Sequence, residues 1–180
     1  MMMKFFTTLT LALVLETLNT GNVVHAANVG PAAGDSATYS LQVQDSSVTV
    51  PTHYLNKIEV LSINPLLQSV NLQQTVTENN TVISQNAFDQ ALSDAGYVTT
   101  ADVQNCAALT DSRTSATVES IRVKAGTFQS CHLKSLAPDT DGNMSDVYLG
   151  VVPFGTLKSS STNSTTGASQ VMELQSYRKN

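Results

Sequence analysis

At 180 residues the chain is long enough for one domain that buries most of its apolar surface unaided. Lys and Arg number 9 against 14 Asp and Glu, a net charge of -5 with no basic cluster, which excludes an electrostatic nucleic-acid partner. Only 13% of residues are charged, and Ser, Thr and Asn are frequent, as in an extracytoplasmic β protein and unlike a cytosolic helical one.

Residues 1–26 read as a secretory signal: Lys4 supplies the positive start, Phe5 to Leu15 the apolar run, and Val24-His25-Ala26 a small-residue cleavage site. The run is too short to cross a hydrocarbon core, which takes about 20 apolar residues. Residues 27–36, with Gly30, Pro31 and Gly34 among small side chains, read as a flexible leader, and 37–180 as a single β-rich domain.

From Ala37 the chain alternates. Tyr39, Leu41 and Val43 share one face of a strand, Asp45-Ser46-Ser47 turns, and Val48-Thr49-Val50 begins a short second strand that Pro51 stops. Asn56 to Ile63 is a longer strand with apolar residues on both faces of its end. After Asn64-Pro65 another strand runs to Thr77, and Glu78-Asn79-Asn80 has the composition of a hairpin tip.

Ala87, Phe88, Ala91, Leu92 and Ala95 recur at helical spacing, so one amphipathic helix is expected over residues 84–95. Ser84 would cap it, Ile83 would staple onto Phe88, and Gly96 suits the left-handed position after the last turn. Its apolar stripe must lie on the sheet, the largest apolar surface available. Tyr97 to Ala116 then reads as a long polar connection.

Two apolar-alternating segments, Ile121 to Leu133 and Val147 to Lys158, read as the central hairpins of the sheet. Ala125-Gly126 breaks the first; a bulge there would bring Phe128 and Cys131, three apart, onto one face. Val152-Pro153-Phe154-Gly155 breaks the second, as a bend, edge or bulge. Pro138 to Asp146 is a loop, the Ser/Thr/Asn run from Ser159 to Ser169 an exposed hairpin loop, and Val171 to Tyr177 the closing strand. The expected class is α+β and mainly antiparallel β: a curved sheet or half-open β-barrel wrapped around that helix.

The motifs for chemistry are sparse. Cys106 and Cys131 are the only cysteines, and an exported chain with an even count favours a disulfide between them. His132 is adjacent to Cys131, but neighbours on a strand point to opposite faces, which argues against an activated thiol. Asp139, Asp141, Asn143 and Asp146 around Gly142 lack the spacing and terminal Glu of a calcium loop and read as an Asp-Gly turn. His53 and His132 have no carboxylates at metal-site spacing. With no nucleophile elbow, phosphate loop or dinucleotide fingerprint, neither catalysis, a metal nor a cofactor is expected.

Val123-Lys124-Ala125-Gly126-Thr127-Phe128 with Cys131, then Tyr148-Leu149-Gly150 leading to Val152-Pro153-Phe154-Gly155-Thr156-Leu157-Lys158, then Met172-Glu173-Leu174, resembles a group of exported bacterial proteins. These share a V-x-A-G-T-F-x-x-C segment, an aromatic-x-G-x-V-P-x-G-x-V-K segment and a closing M-x-L strand, and Asn105-Cys106 resembles their upstream cysteine. The match spans residues 105–177. It departs at Lys124, where proline is frequent, at Leu157, where valine is common, and over Ala107 to Ala116, which lacks paired glycines. The resemblance implies a half-open barrel like that of periplasmic lipoprotein carriers, with an apolar concavity for a lipid or acyl chain and no catalytic residues. The residues expected to line it are Phe88, Leu92, Phe128, Leu149, Phe154 and Leu174. The competing expectation is a structural or adhesive envelope protein acting through its polar loops.

Overall fold

The computed structural model describes residues 30–47 and 50–180; the expected signal segment and the start of the Val48–Val50 strand lie outside the described residues. Among the described residues nine antiparallel strands form one sheet: β1 (Ser36–Gln44), β2 (Thr52–Asn64), β3 (Ser69–Glu78), β4 (Thr81–Ala91), β5 (Thr114–Val123), β6 (Gly126–Ser135), β7 (Asn143–Leu149), β8 (Thr156–Asn163) and β9 (Ser169–Arg178). Their spatial order is β4-β3-β2-β1-β9-β8-β7-β6-β5. Two meanders, β1 to β4 and β5 to β9, therefore join side by side through the β1–β9 pairing, and the sheet remains open between β4 and β5.

This order corrects one expectation. The hairpins read as central lie at one end of the sheet, with β5 as an edge, and the centre is β1 with β9. In the middle, Tyr39 pairs with Leu174 and Asn56, and Leu41 with Met172 and Tyr54, so these side chains share one face. Tyr39, Leu41, Met172 and Leu174 are all buried, which defines that face as the inner one. Leu55 and Leu61, on the other face of β2, are exposed.

The expected helix over 84–95 is not formed. Residues 81–91 are β4, and only Leu92–Asp94 makes a single 3-10 turn. The reason sits one turn upstream. Asn79 and Asn80 both adopt positive φ, 48° and 63°, the geometry of a two-residue hairpin turn. That turn delivers residues 81–91 opposite 69–78 in fixed register, with Phe88 beside Leu72. Cross-strand pairing thus overrides a helical stripe that local spacing supports. Ile83 does not staple to Phe88; it sits at a register shift and is exposed. Gly96 does take the left-handed conformation, φ 71°, after the 3-10 turn.

Because β4 and β5 are opposite edges, the chain between them must cross the sheet. Residues 92–113 form this strap, and Ala95, Val98, Val103 and Cys106 bury against the inner face. The polar connection expected from Tyr97 holds a short helix, α1 (Thr100–Gln104), and a 3-10 turn, Cys106–Leu109. Thr99 caps α1: its Oγ1 accepts from the Asp102 N–H, while the Asp102 carboxylate accepts from the Thr99 N–H. The Cys106–Cys131 disulfide fixes the strap to β6.

Two further expectations change. The β5–β6 register is unbroken, so Phe128 and Cys131 lie on opposite faces and no bulge reconciles them. Ser159 to Asn163 is the body of β8 and not a loop; only residues 164–168 turn. Flanked by β7 and β9, a strand of serines has its backbone hydrogen bonds satisfied on both sides and needs little apolar burial.

Candidate functional site

The β5–β6 hairpin folds back over the end of the sheet. The Ala125 N–H donates to the Leu174 carbonyl (3.3 Å), the Lys124 N–H to Glu173 Oε1 (3.1 Å), and Phe128 meets Tyr177 edge to face with ring centres 6.0 Å apart. Between this hairpin and the strap the β7–β8 connection inserts Val152, Pro153 and Phe154. Phe154 takes φ 63° and Gly155 φ 65°, so the break expected at Val152 to Gly155 is a tight turn whose side chains point into the core. Tyr97 of the strap packs edge to face on Phe154, 5.8 Å between centres.

The buried residues form two clusters. The larger holds Tyr39, Leu41, Val60, Val70, Leu72, Phe154, Leu157, Met172 and Leu174, with Phe88, Leu92 and Phe128 partly buried against it. The smaller, under α1, holds Val103, Cys106, Cys131, Leu133 and Leu149. Of the six residues expected to line a concavity, five meet in the first cluster; Leu149 packs in the second, beside Cys131.

Coverage of the inner face is uneven. α1 and the Cys106–Leu109 turn lie against β5 and β6. At the other end, Tyr54 and Ile58 of β2, Ile63 beside Val70, and Phe88 of β4 face inward by register yet stay half-buried. By register Asn56, Gln74 and the β4 residues Ser84, Asn86 and Gln90 also belong to this face, and the Gln74 amide donates to Asn56 Oδ1 at 3.1 Å.

Two hydroxyls stand at the junction of sheet and strap. Asp35 is fully buried: its Oδ2 accepts from the Tyr97 hydroxyl (2.8 Å) and the Ala32 N–H (2.9 Å), and its Oδ1 from the Asn180 N–H (2.8 Å). One carboxylate thus ties the start of the sheet, the strap and residue 180 together. The end of the expected leader is held here too, through the Gly34 N–H on the Val60 carbonyl (2.8 Å). Burial and then the Asp35 contact push the Tyr97 phenol well above the usual tyrosine range, and burial alone does the same to Tyr39. The Tyr39 hydroxyl, 1% exposed as a residue, has no hydrogen-bond partner among the described residues. A buried hydroxyl without a partner costs about 1–3 kcal/mol.

Sequence reading did not find Asp35, Tyr39, Tyr97 or the role of His132, whose partners come from strands distant in the chain. On the outer face, His132 Nδ1 lies 2.7 Å from Glu119 Oε1 and Nε2 lies 3.1 Å from Asp146 Oδ1, with the ring stacked on Tyr148 at 4.1 Å. The two ring nitrogens serve two separate carboxylates, so the group has no common coordination point. Among the described residues no set of three His, Cys, Asp or Glu side chains is arranged for a metal ion. Cys131 is bonded to Cys106 and turned away from His132, as strand alternation required. Around Gly142, Asp139 Oδ1 accepts from the N–H groups of Asp141 (2.9 Å) and Asn143 (2.7 Å), closing the expected Asp-Gly turn. Among the described residues no helix is long and apolar enough to cross a membrane.

The architecture is that of an open, curved antiparallel sheet crossed on its inner face by a short strap. In particular it shares the YmcC-like fold of an exported protein from Bacteroides fragilis, at a TM-score of 0.51 and 10% identity over 83% of this chain and 98% of that one. A lipoprotein from Parabacteroides distasonis aligns at 0.47 and 11%, over 82% and 96% of the two chains. A LolA-superfamily protein from Nitrosomonas europaea aligns at 0.28 and 8%, over 93% and 92%. No protein-family model matches the sequence, and neither does any curated protein. At these identities the first likeness shows the fold alone.

Proposed function

We propose that this is an exported, non-enzymatic protein that holds an apolar ligand, a lipid or acyl chain, on the inner face of its sheet. The observation that carries the reading is the half-buried strip of Tyr54, Ile58, Ile63 and Phe88, at the end of the face that α1 leaves uncovered. Contiguous apolar surface of this kind is where ligand grooves and interaction sites are found. Leu92, Phe154 and Leu174 continue the strip into the core, Phe128 packs on that core from the folded-back hairpin, and Leu149 supports it from the second cluster. The unpartnered Tyr39 hydroxyl gives the interior one free donor, suited to the carbonyl or carboxylate end of an acyl chain. Export, which places the chain in the periplasm or beyond the cell, is consistent with the signal-like residues 1–26, with the disulfide and with the exported protein that shares the fold.

The test is titration of delipidated protein with a fluorescent fatty acid. Saturable binding with a dissociation constant of roughly micromolar order, weakened at least about tenfold by Phe88→Asp, supports the reading. Absence of saturable binding contradicts it and favours a structural role for the polar loops.

A further inference from the structure

The two edges of the sheet are finished differently. β5 carries Glu119 and Arg122, and the Cys106–Leu109 turn lies along it. Charge and cover are the usual protections of an edge strand. β4 has neither. Its eleven residues include no Lys, Arg, Pro or Gly and one charge, Asp89; they are exposed or half-buried throughout, and β3 is its only strand neighbour among the described residues. Its outward N–H and C=O groups form an open row.

Large apolar side chains mark both ends of that row. At its start Val82 and Ile83 are 55% and 52% exposed. Beyond its other end the β2–β3 turn presents Leu66 and Leu67, 93% and 74% exposed. This turn is ordered: Asn64 Oδ1 accepts from the N–H groups of Leu66 (3.1 Å) and Leu67 (3.2 Å). It is held beside the end of β4 by the Ser69–Ala91 pairing and by the Leu92 N–H on the Gln68 carbonyl (2.8 Å).

We propose that β4 pairs antiparallel with β4 of a second copy of this chain about a two-fold axis, making one continuous sheet. Antiparallel pairing sets the Val82–Ile83 end of each copy beside the Leu66–Leu67 turn of the other, so both unlike apolar ends are covered twice by one operation. It also places the two Asp89 carboxylates toward opposite ends of the contact, whereas parallel pairing would set them side by side. An extended peptide of another sequence would satisfy the backbone row equally; the matching apolar ends favour the second copy. The dimer leaves the inner face free and does not depend on what that face binds.

Sedimentation velocity across roughly 1 to 100 µM, the range that brackets micromolar association, tests it. The native chain is expected to show a concentration-dependent monomer–dimer equilibrium. I83K, on the exposed edge, weakens it at least about tenfold, as a lysine on an edge strand does. Adding L66E to I83K sets opposite charges across the contact and recovers at least part of the affinity, while V118K on β5 leaves it unchanged. Circular dichroism checks that each variant is folded. A native chain that stays monomeric throughout, a dimer indifferent to I83K or lost with V118K, or no recovery in the double variant overturns the arrangement.

Discussion

Gly155 touches Gly96: a methyl group at Gly155 would overlap the Gly96 carbonyl oxygen and the Val98 side chain, and both glycines have positive φ, 65° and 71°. The β7–β8 turn and the strap therefore meet backbone to backbone, and this contact lets the strap lie flat across the inner face. Gly155→Ala should destabilise the fold by about 3 kcal/mol, from left-handed strain plus overlap with backbone that cannot swing aside. Gly142→Ala is the control. Its φ is 85°, but its methyl would meet the movable Thr165 and Ser164 side chains, so only about 1 kcal/mol is expected. Urea unfolding of both variants measures the difference, and equal losses would contradict a strap seated on Gly155.

The Cys106–Cys131 bond, 25 residues apart in sequence, anchors the far end of the strap to β6. Replacing both cysteines by serine should cost about 3 kcal/mol in the chain-entropy model, seen as a lower urea midpoint without reductant. Native protein treated with reductant should approach the same midpoint.

Tyr39 is buried and Tyr97 partly buried, and ionisation of both phenols is pushed up by burial, for Tyr97 with help from Asp35. A raised pKa in the fold means that the contribution is complete below the unfolded tyrosine value of about 10 and is lost as pH rises above it. Thermal stability should hold to about pH 9 and fall beyond pH 10, and in the folded protein Tyr39 and Tyr97 should ionise above the unfolded tyrosine value. Absorbance titration near 295 nm in which Tyr39 and Tyr97 ionise near pH 10 in protein still folded would contradict this environment. Tyr39→Phe removes an unpartnered hydroxyl, so the ligand-free variant should be as stable as native or up to about 1 kcal/mol more stable.

His132 bridges β5 and β7 through Glu119 and Asp146 while stacking on Tyr148. The carboxylates are about two-fifths exposed, so solvent screens most of the attraction. His132→Ala should cost about 1 kcal/mol, chiefly from the lost ring stack, and a double-mutant cycle with Glu119→Gln should show coupling of about 0.5 kcal/mol. Coupling near zero would reduce the pair to a crystallographic-type surface contact.

What the sequence revealed follows the range of the interactions involved. The alternation of Tyr39, Leu41 and Val43, the tip at Asn79-Asn80 and the Asp139–Gly142 turn depend on neighbours a few residues away, and all are present. The disulfide followed from count and compartment. The failures need distant partners. Residues 84–91 have a helical stripe and become a strand because β3 is held opposite them; Ser159–Asn163 looks like a loop until β7 and β9 flank it. Phe88, Leu92, Phe128, Phe154 and Leu174, expected to line a cavity, fall in one packed apolar cluster, whereas Asp35 and Tyr97, 62 residues apart, gave no local signal.

The account rests on the inner face as the place where an apolar ligand sits, and methyl-resolved NMR of delipidated protein during titration with a long-chain fatty acid tests it most directly. Saturable shifts at Ile58, Ile63 and Leu92, with Leu55 and Leu61 on the outer face of β2 unmoved, are the predicted result. No saturable shift at any methyl, or shifts confined to Leu55 and Leu61, would contradict it.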